Sequence, residues 1–163
     1  MRNVWIVIGV IALAVVIVVA GLRIENGVNA RNAAYSEAVV RARDVRDDLT
    51  TMLHSGERYL RSGGKKDRAE YARASADLPK DVAMLVLWTG EDVPALASRA
   101  QTFLQYTQDE SEMIKSSVAS AQDRPTKFGP KLADALAQTI RPTDLKVDRA
   151  EQDLESAAGG LHN

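Results

Sequence analysis

Apolar residues are concentrated in one uninterrupted run near the beginning of the chain, from Val4 to Leu22. The run carries no charge, and 13 of its 19 residues are valine, isoleucine or leucine. A helix of this length, at about 1.5 Å per residue, spans roughly the 30 Å hydrocarbon core of a bilayer. The pattern therefore predicts a membrane-spanning helix, with residues 1–22 as an anchor and the lipid bilayer as a partner.

A cleaved signal peptide is the alternative explanation of the same run. The segment from Val18 to Ala20 offers small residues in the right places for cleavage before Gly21. The apolar run is longer than the roughly 7–15 residues usual in a signal peptide, which favours an anchor that stays on the chain. Arginines lie on both sides of the run, so the charges alone do not set its orientation.

After this run, apolar and small residues recur with a coiled-coil-like heptad period as far as the sequence Ser62 to Gly64. The residues of this seam are Val28, Tyr35, Ala38, Ala42, Val45, Leu49, Met52 and Tyr59. Such a seam predicts one helix of about 40 residues that continues from the anchor and ends at the two glycines.

Three further segments carry helical stripes of apolar residues. They cover about residues 67–87, with Pro79 inside, then 91–121, and finally a weaker stretch over 132–154. The stripes consist of Tyr71, Ala74, Leu78, Val82 and Leu85; Leu96, Ala100, Phe103, Thr107, Met113, Ile114 and Val118; and Leu132, Leu136, Ile140, Leu145 and Leu154. Because proline lacks a backbone N–H, Pro142 predicts a broken helix in the last segment.

The fold class follows from the seams, because no single helix can bury its own apolar stripe. An antiparallel four-helix bundle in residues 23–163 buries all of them with short connections. Aromatic residues make up only 5% of the chain, which suits helices packed through small and aliphatic side chains. The sequence therefore predicts an all-α protein, with a single N-terminal transmembrane helix followed by a four-helix-bundle-like domain.

Charge and rare residue types exclude several classes of function. The formal net charge of −1 argues against nucleic acid as the main partner, because phosphate binding needs a net basic face. Cysteine is absent, which excludes disulfides, thiolate zinc sites and thiol catalysis. The two histidines, His54 and His162, lie far apart in the chain without a ligand pattern beside them. Acids, bases and nucleophiles form no recognised catalytic pattern, so we expect no enzyme activity, no metal and no cofactor.

Arg41, Arg43 and Arg46 form the one cluster of basic residues on the predicted first helix. The cluster has two interpretations. It holds an anion or a partner, or its arginines pair within the helix with the interleaved aspartates Asp44, Asp47 and Asp48. The interleaved spacing of opposite charges favours intrahelical pairing.

Trp88, at a predicted helix end, has two interpretations as well. It packs into the tip of the bundle, which we favour, or it stands exposed as a contact for a partner or ligand.

The order of these features resembles the CHASE-type extracellular sensory domains of the third, all-helical class. In that family the long first helix ends in a Gly-Tyr-Leu-Leu-Thr-Gly-like signature. Here Tyr59, Leu60 and Gly63 match the signature, and Ser62 stands in place of threonine. The pair Leu78–Pro79 resembles the Leu-Pro sequence of the family's second helix.

The resemblance implies a sensory or binding domain on the outer side of a bacterial membrane. Family members pass through the membrane again into an output module, and no second apolar span follows Leu22. We therefore expect a membrane-anchored sensory or binding module that transmits signals to a separate membrane-protein partner or acts as a homodimer. A fragment of a longer receptor would carry its missing output module elsewhere. The sequence does not identify a small-molecule ligand for such a module. The alternative function is an accessory or structural single-pass subunit of a larger membrane complex.

Overall fold

The computed structural model describes the backbone of residues 2–89, 94–122 and 128–159, and the side chains of residues 32–89, 96–121 and 128–159. The helices are α1 (Arg2–Ser62), α2 (Lys65–Trp88), α3 (Pro94–Gln122) and α4 (Gly129–Gly159). The described part of the chain contains no strand. The predicted all-α fold is confirmed.

The chain divides into two compact units, Met1–Ala34 and Tyr35–Asn163. No helix among the described residues is long and apolar enough to cross a membrane. The side chains of the predicted span, Val4 to Leu22, lie outside the described residues. The transmembrane helix therefore stays a prediction, and the following paragraphs concern the second unit.

The heptad seam of α1 forms one side of the core. Six of its predicted members are fully or almost fully buried, namely Tyr35, Ala38, Ala42, Val45, Leu49 and Met52. Tyr59 is half-buried and packs against the same core, and the side chain of Val28 lies outside the described residues. The seam within the described residues is confirmed, because a heptad period keeps these side chains on one face of a helix.

A two-residue turn reverses the chain between α1 and α2. Gly63 has a φ of 65°, a left-handed conformation that only glycine adopts without steric cost, and its N–H donates to the carbonyl of Tyr59 at 2.8 Å. The N–H of Gly64 then donates to the Ser62 hydroxyl at 3.0 Å. Because the turn is so short, α2 must run back antiparallel alongside α1.

Pairs of residues between helices show the antiparallel order of the bundle. Near the turn, Arg58 of α1 binds Asp67 of α2 at 3.0 Å. Further from the turn, Arg43 of α1 binds Glu155 in the late part of α4 at 2.8 Å. The later part of α1 meets the early part of α4, where Arg61 Nη2 lies 2.7 Å from an Asp134 carboxylate oxygen. The remaining helices follow the same rule, since Arg99 of α3 donates to the Asp153 carbonyl of α4 at 2.7 Å.

Proline lies inside two of the helices without ending them. α4 runs from Gly129 to Gly159 with Pro142 inside it, so the predicted break in this segment is wrong. Ile140 before the proline and Val147 after it are both buried, and their packing holds the two halves in register despite the lost backbone hydrogen bond. Leu145, which the sequence stripe includes, is exposed instead.

Candidate functional site

Four charged side chains, two of them partly exposed, come together where three helices pack. They are Glu110 of α3, Arg46 of α1, and Asp144 and Asp148 of α4, and we call them the buried charge cluster. Glu110 points inward because it lies three residues after Thr107 on the buried stripe of α3. A helical period of 3.6 residues gives both positions the same face.

Glu110 is enclosed to an unusual degree for a carboxylate. Its relative exposure is 0%, and neither of its side-chain oxygens has a hydrogen-bond partner among the described groups. Burial, followed by the negative charge of Asp144, raises its pKa from 4.5 to about 7. The positive charge of Arg46 acts in the opposite direction, and Asp148 adds to the increase. Glu110 therefore changes its charge near neutral pH.

Arg46 holds the cluster together from the first helix. Its side chain is only 16% exposed, and its Nη2 donates to Asp144 Oδ1 at 2.5 Å and to Asp148 Oδ1 at 2.6 Å. Burial lowers the pKa of the guanidinium, but the carboxylates of α4 outweigh this effect and raise it overall. Its second amino group, Nη1, is buried and has no hydrogen-bond partner within the described structure.

The charge balance defines the chemistry open to this cluster. Three carboxyl groups face one guanidinium, so full ionisation leaves a net charge of −2, and the charge of Glu110 is then fully buried while the two aspartates are partly exposed. Uncompensated charge of this kind is costly in a low-dielectric interior, and binding a proton relieves it. The site can therefore take up and release a proton, while the complete burial of Glu110 keeps a substrate from contacting it.

A groove of about 570 Å³ runs between α2 and α3, and its lining includes Ser111, the residue that follows Glu110 in the chain. Leu78, Pro79 and Val82 line it from α2, and Thr107 and Gln108 are among its lining residues on α3. The hydroxyl of Thr107 is buried and has no hydrogen-bond partner among the described residues. Thr107 therefore lines the groove from α3, the helix that also carries Glu110.

The three arginines singled out in the sequence do not converge on one site. Arg41 binds Glu37 at 2.6 Å and Asp44 at 3.0 Å, both on its own helix, as intrahelical pairing predicts. Arg43 and Arg46 instead reach carboxylates of α4, so the intrahelical prediction is wrong for these two. The reason is tertiary, because α4 brings acidic residues beside this face of α1.

Trp88, at the end of α2, is 38% exposed, so its side chain is partly packed and partly accessible, and its role as a contact stays a prediction. Met84 lies three residues before Leu87 and four before Trp88, so it neighbours both on the surface of α2, and Leu87 is 70% exposed. We call these three residues the α2 apolar patch. A connected exposed surface of large apolar side chains is typical of contact sites.

The four residues of the family-like signature all surround the turn between α1 and α2. Leu60 is buried, Tyr59 is half-buried, and Gly63 supplies the left-handed turn. Ser62 is exposed, accepts a hydrogen bond from the backbone and donates one to Asp67 at 3.1 Å. Within the described structure these residues serve to end one helix and begin the next.

A second group of carboxylates lies where α1 meets α2. Asp48 of α1 faces Asp77 and Asp81 of α2, and burial together with the neighbouring Asp81 raises the pKa of Asp48 from 3.8 to about 6. A raised carboxyl pKa means that the protonated form is the one that folding favours. The resulting stability is present below about pH 4 and is lost as the pH rises through about 6.

Replacement of Asp48 with asparagine is expected to stabilise the protein near neutral pH, because asparagine keeps the shape and removes the repulsion from Asp77 and Asp81. The expected gain is on the order of 1 kcal/mol, since Asp48 is only half-buried and water screens its charge. Thermal unfolding at neutral and mildly acidic pH measures it. The advantage over the wild type should shrink at the acidic pH, and exposed Asp47→Asn is the matched control. An equal gain at both values would contradict the assignment.

Sequence reasoning missed the acidic members of the buried charge cluster. Glu110 occupies a position on the apolar stripe of α3, between Thr107 and Ile114, and a charged residue in such a register was the available signal. Asp144 and Asp148 lacked a comparable signal, because their partner is on α1 and distant in sequence.

Neither a metal site in the described part of the chain nor a similarity to known proteins assigns a role to the buried charge cluster. Among the described residues no group of three or more histidine, aspartate or glutamate side chains is arranged to hold a metal ion. No family model matches the chain, and no curated protein or solved structure shows a significant similarity to it.

Proposed function

We propose that this protein is a membrane-anchored helical sensory or binding module. The observation that carries the proposal is the enclosure of Glu110, whose ionisable carboxyl has no hydrogen-bond partner among the described residues of the core. A bundle that serves only as a scaffold gains nothing from such a group, because burying it without partners costs free energy. Costs of this kind concentrate at functional sites, where they keep two arrangements close in energy.

The proposed mechanism is a shift of packing between two states of the bundle. Arg46 ties α1 to α4, and Glu110 on α3 competes for the same positive charge. A change in the state of the cluster therefore changes how strongly α1 is held by each neighbour. The apolar run from Val4 to Leu22 belongs to the same helix, and we propose that it anchors the module and passes the shift to a separate membrane protein.

Distances between helices test this proposal directly. The chain contains no cysteine, so Asp47→Cys on α1 and Ser116→Cys on α3 introduce two exposed sites for nitroxide labels. In the full-length chain reconstituted into phospholipid vesicles, pulsed electron paramagnetic resonance should show two distance populations, whose ratio Glu110→Leu shifts towards one. Resistance of the labelled chain to alkaline extraction tests the anchor in the same sample.

A single distance that Glu110→Leu leaves unchanged would contradict the sensory proposal. Glu112→Leu is the matched control, because Glu112 lies two residues away on the same helix and is exposed. It should leave the ratio of the two populations as it is in the labelled parent.

The alternative function, an accessory subunit of a membrane complex, is supported by the α2 apolar patch. Leu87 and Trp88 expose apolar area at one end of the bundle, and such area is suited to contact with another protein. Stoichiometric co-purification with an integral membrane protein in a mild detergent favours this alternative if the packing of the bundle proves to be fixed.

A further inference from the structure

We propose that Glu110 is the proton-binding site of this module, and that loss of its proton draws the unbonded amino group Nη1 of Arg46 towards α3. The inference rests on the proposed sensory function and names its stimulus as a change in pH. The buried charge cluster then works as a switch with two sets of partners for one guanidinium.

The unused hydrogen-bonding groups of the cluster carry this inference. Arg46 uses Nη2 for both of its bonds to α4, while its Nη1 is buried and has no hydrogen-bond partner among the described residues. Both carboxyl oxygens of Glu110 can accept hydrogen bonds, and both are likewise buried without a partner among the described residues. A donor on α1 and two acceptors on α3 are thus left over in one mostly buried cluster. In the proposed switch, a turn of the Arg46 side chain pairs this donor with the acceptors of Glu110.

The groups around Glu110 determine which state each pH favours. The described charges that act on it are Arg46 from α1, and Asp144 and Asp148 from α4, and none of them comes from α2. On α3 itself, the neighbouring Asp109 and Glu112 are exposed. Glu110 therefore experiences one attractive charge and two repulsive ones in a buried setting, which is the balance that retains a proton near neutral pH.

The proton balance of the switch is simple. In acid, the carboxylate of Glu110 takes one proton from solvent, becomes a neutral carboxylic acid, and leaves Arg46 with the two aspartates of α4. In base, the proton returns to solvent, and the new negative charge attracts Arg46 Nη1. No other reactant is needed. Stability due to the neutral acid is fully present below about pH 4.5 and is lost as the pH rises through about 7.

Nuclear magnetic resonance of the full-length chain in detergent micelles tests both halves of the inference. The probe is the proton alone, titrated from about pH 5 to about pH 9 across the value of about 7 that is expected for Glu110. The carboxyl carbon of Glu110 should titrate with a midpoint near neutral pH. The side-chain nitrogens of Arg46 should change their shifts and their hydrogen exchange with the same midpoint.

Two variants establish which group is responsible. Glu110→Gln, which keeps the shape of the side chain, should abolish the neutral titration and the response of Arg46. Exposed Glu112→Gln should preserve both. Direct assignment of the Glu110 resonance in the wild-type chain gives the answer even if a variant fails to fold. A Glu110 midpoint below about pH 5, or an Arg46 signal that ignores the titration, would overturn the inference.

Failure of this inference differs from failure of the sensory proposal. If Glu110 and Arg46 titrate together while the nitroxide distances show one fixed packing, the proton site stands and the sensory proposal is wrong. If two packings exist but their ratio and the Glu110 signal do not respond to pH, proton sensing is wrong and the module responds to another stimulus.

Discussion

One added methyl group at the start of α4 is expected to destabilise the bundle by roughly 2–3 kcal/mol. The substitution is Gly129→Ala. A Cβ at this position would overlap the backbone carbonyl oxygen of Leu60 and would lie 3.1 Å from its carbonyl carbon. Because the obstacle is backbone and not a flexible side chain, α4 must move away from the end of α1. Urea unfolding of the full-length chain, followed by circular dichroism, measures the loss.

Gly159→Ala is the matched control, since it makes the same chemical change near the other end of the same helix. A Cβ at Gly159 meets nothing within 4 Å, so this variant should be neutral or slightly more stable than the wild type. Equal stability of the two alanine variants would mean that the start of α4 does not pack against Leu60 as closely as the structure has it.

The helices themselves were the most predictable part of this molecule. The seam of α1 alternates three- and four-residue steps from Tyr35 to Met52, and every predicted member in that range is buried. Such a pattern is decided by the helical period alone, and no knowledge of neighbouring helices is needed. The turn at Gly63 could be predicted for the same reason, because a glycine that ends a helix with a positive φ depends only on the local backbone.

The sequence misled where tertiary packing outweighs a local preference. Pro142 removes one backbone hydrogen bond, which locally favours a break, yet apolar side chains on both sides of it are buried in the same core. Arg43 illustrates the same point for charges. Aspartates lie close to it in sequence, but its partner is Glu155 on the last helix. Neither outcome follows from residues within one helical turn.

The candidate site was hidden because its members come from three helices. Among the acidic members, only Glu110 had a visible sequence signal, as a charged residue in the register of a buried stripe. Arg46 was identified, but as part of a basic group of three whose other members, Arg41 and Arg43, are bound elsewhere. Only the assembly of α1, α3 and α4 shows that Arg46 and Glu110 share one environment.

Arg46→Met should be the most damaging of the substitutions considered, with an expected loss of about 3–5 kcal/mol. Methionine keeps much of the apolar volume of the arginine stem, so the change mainly removes the positive charge. Asp144 and Asp148 then lose their shared donor, and Glu110 loses the only described group that lowers its pKa. Urea unfolding at about pH 8 measures the loss.

Arg43→Met is the matched control, because it removes an interhelical ion pair that is exposed and lies outside the buried charge cluster. Arg43 also binds a carboxylate of α4, but its side chain is 62% exposed. Exposed pairs contribute little, so the expected loss is below about 1 kcal/mol. A similar loss in both variants would mean that burial of the cluster does not set its energetics.

The pH dependence of the Arg46→Met loss separates charge from packing. Without Arg46 the three carboxyl groups of the cluster repel one another when ionised, and protonation relieves the repulsion, so the loss should be smaller at about pH 5 than at about pH 8. Adding Glu110→Leu should recover part of the stability at about pH 8, because it removes one of the unpaired charges. If the loss is the same at both pH values and Glu110→Leu recovers nothing, Arg46 acts through its packing, and the competition between α3 and α4 for its charge is absent.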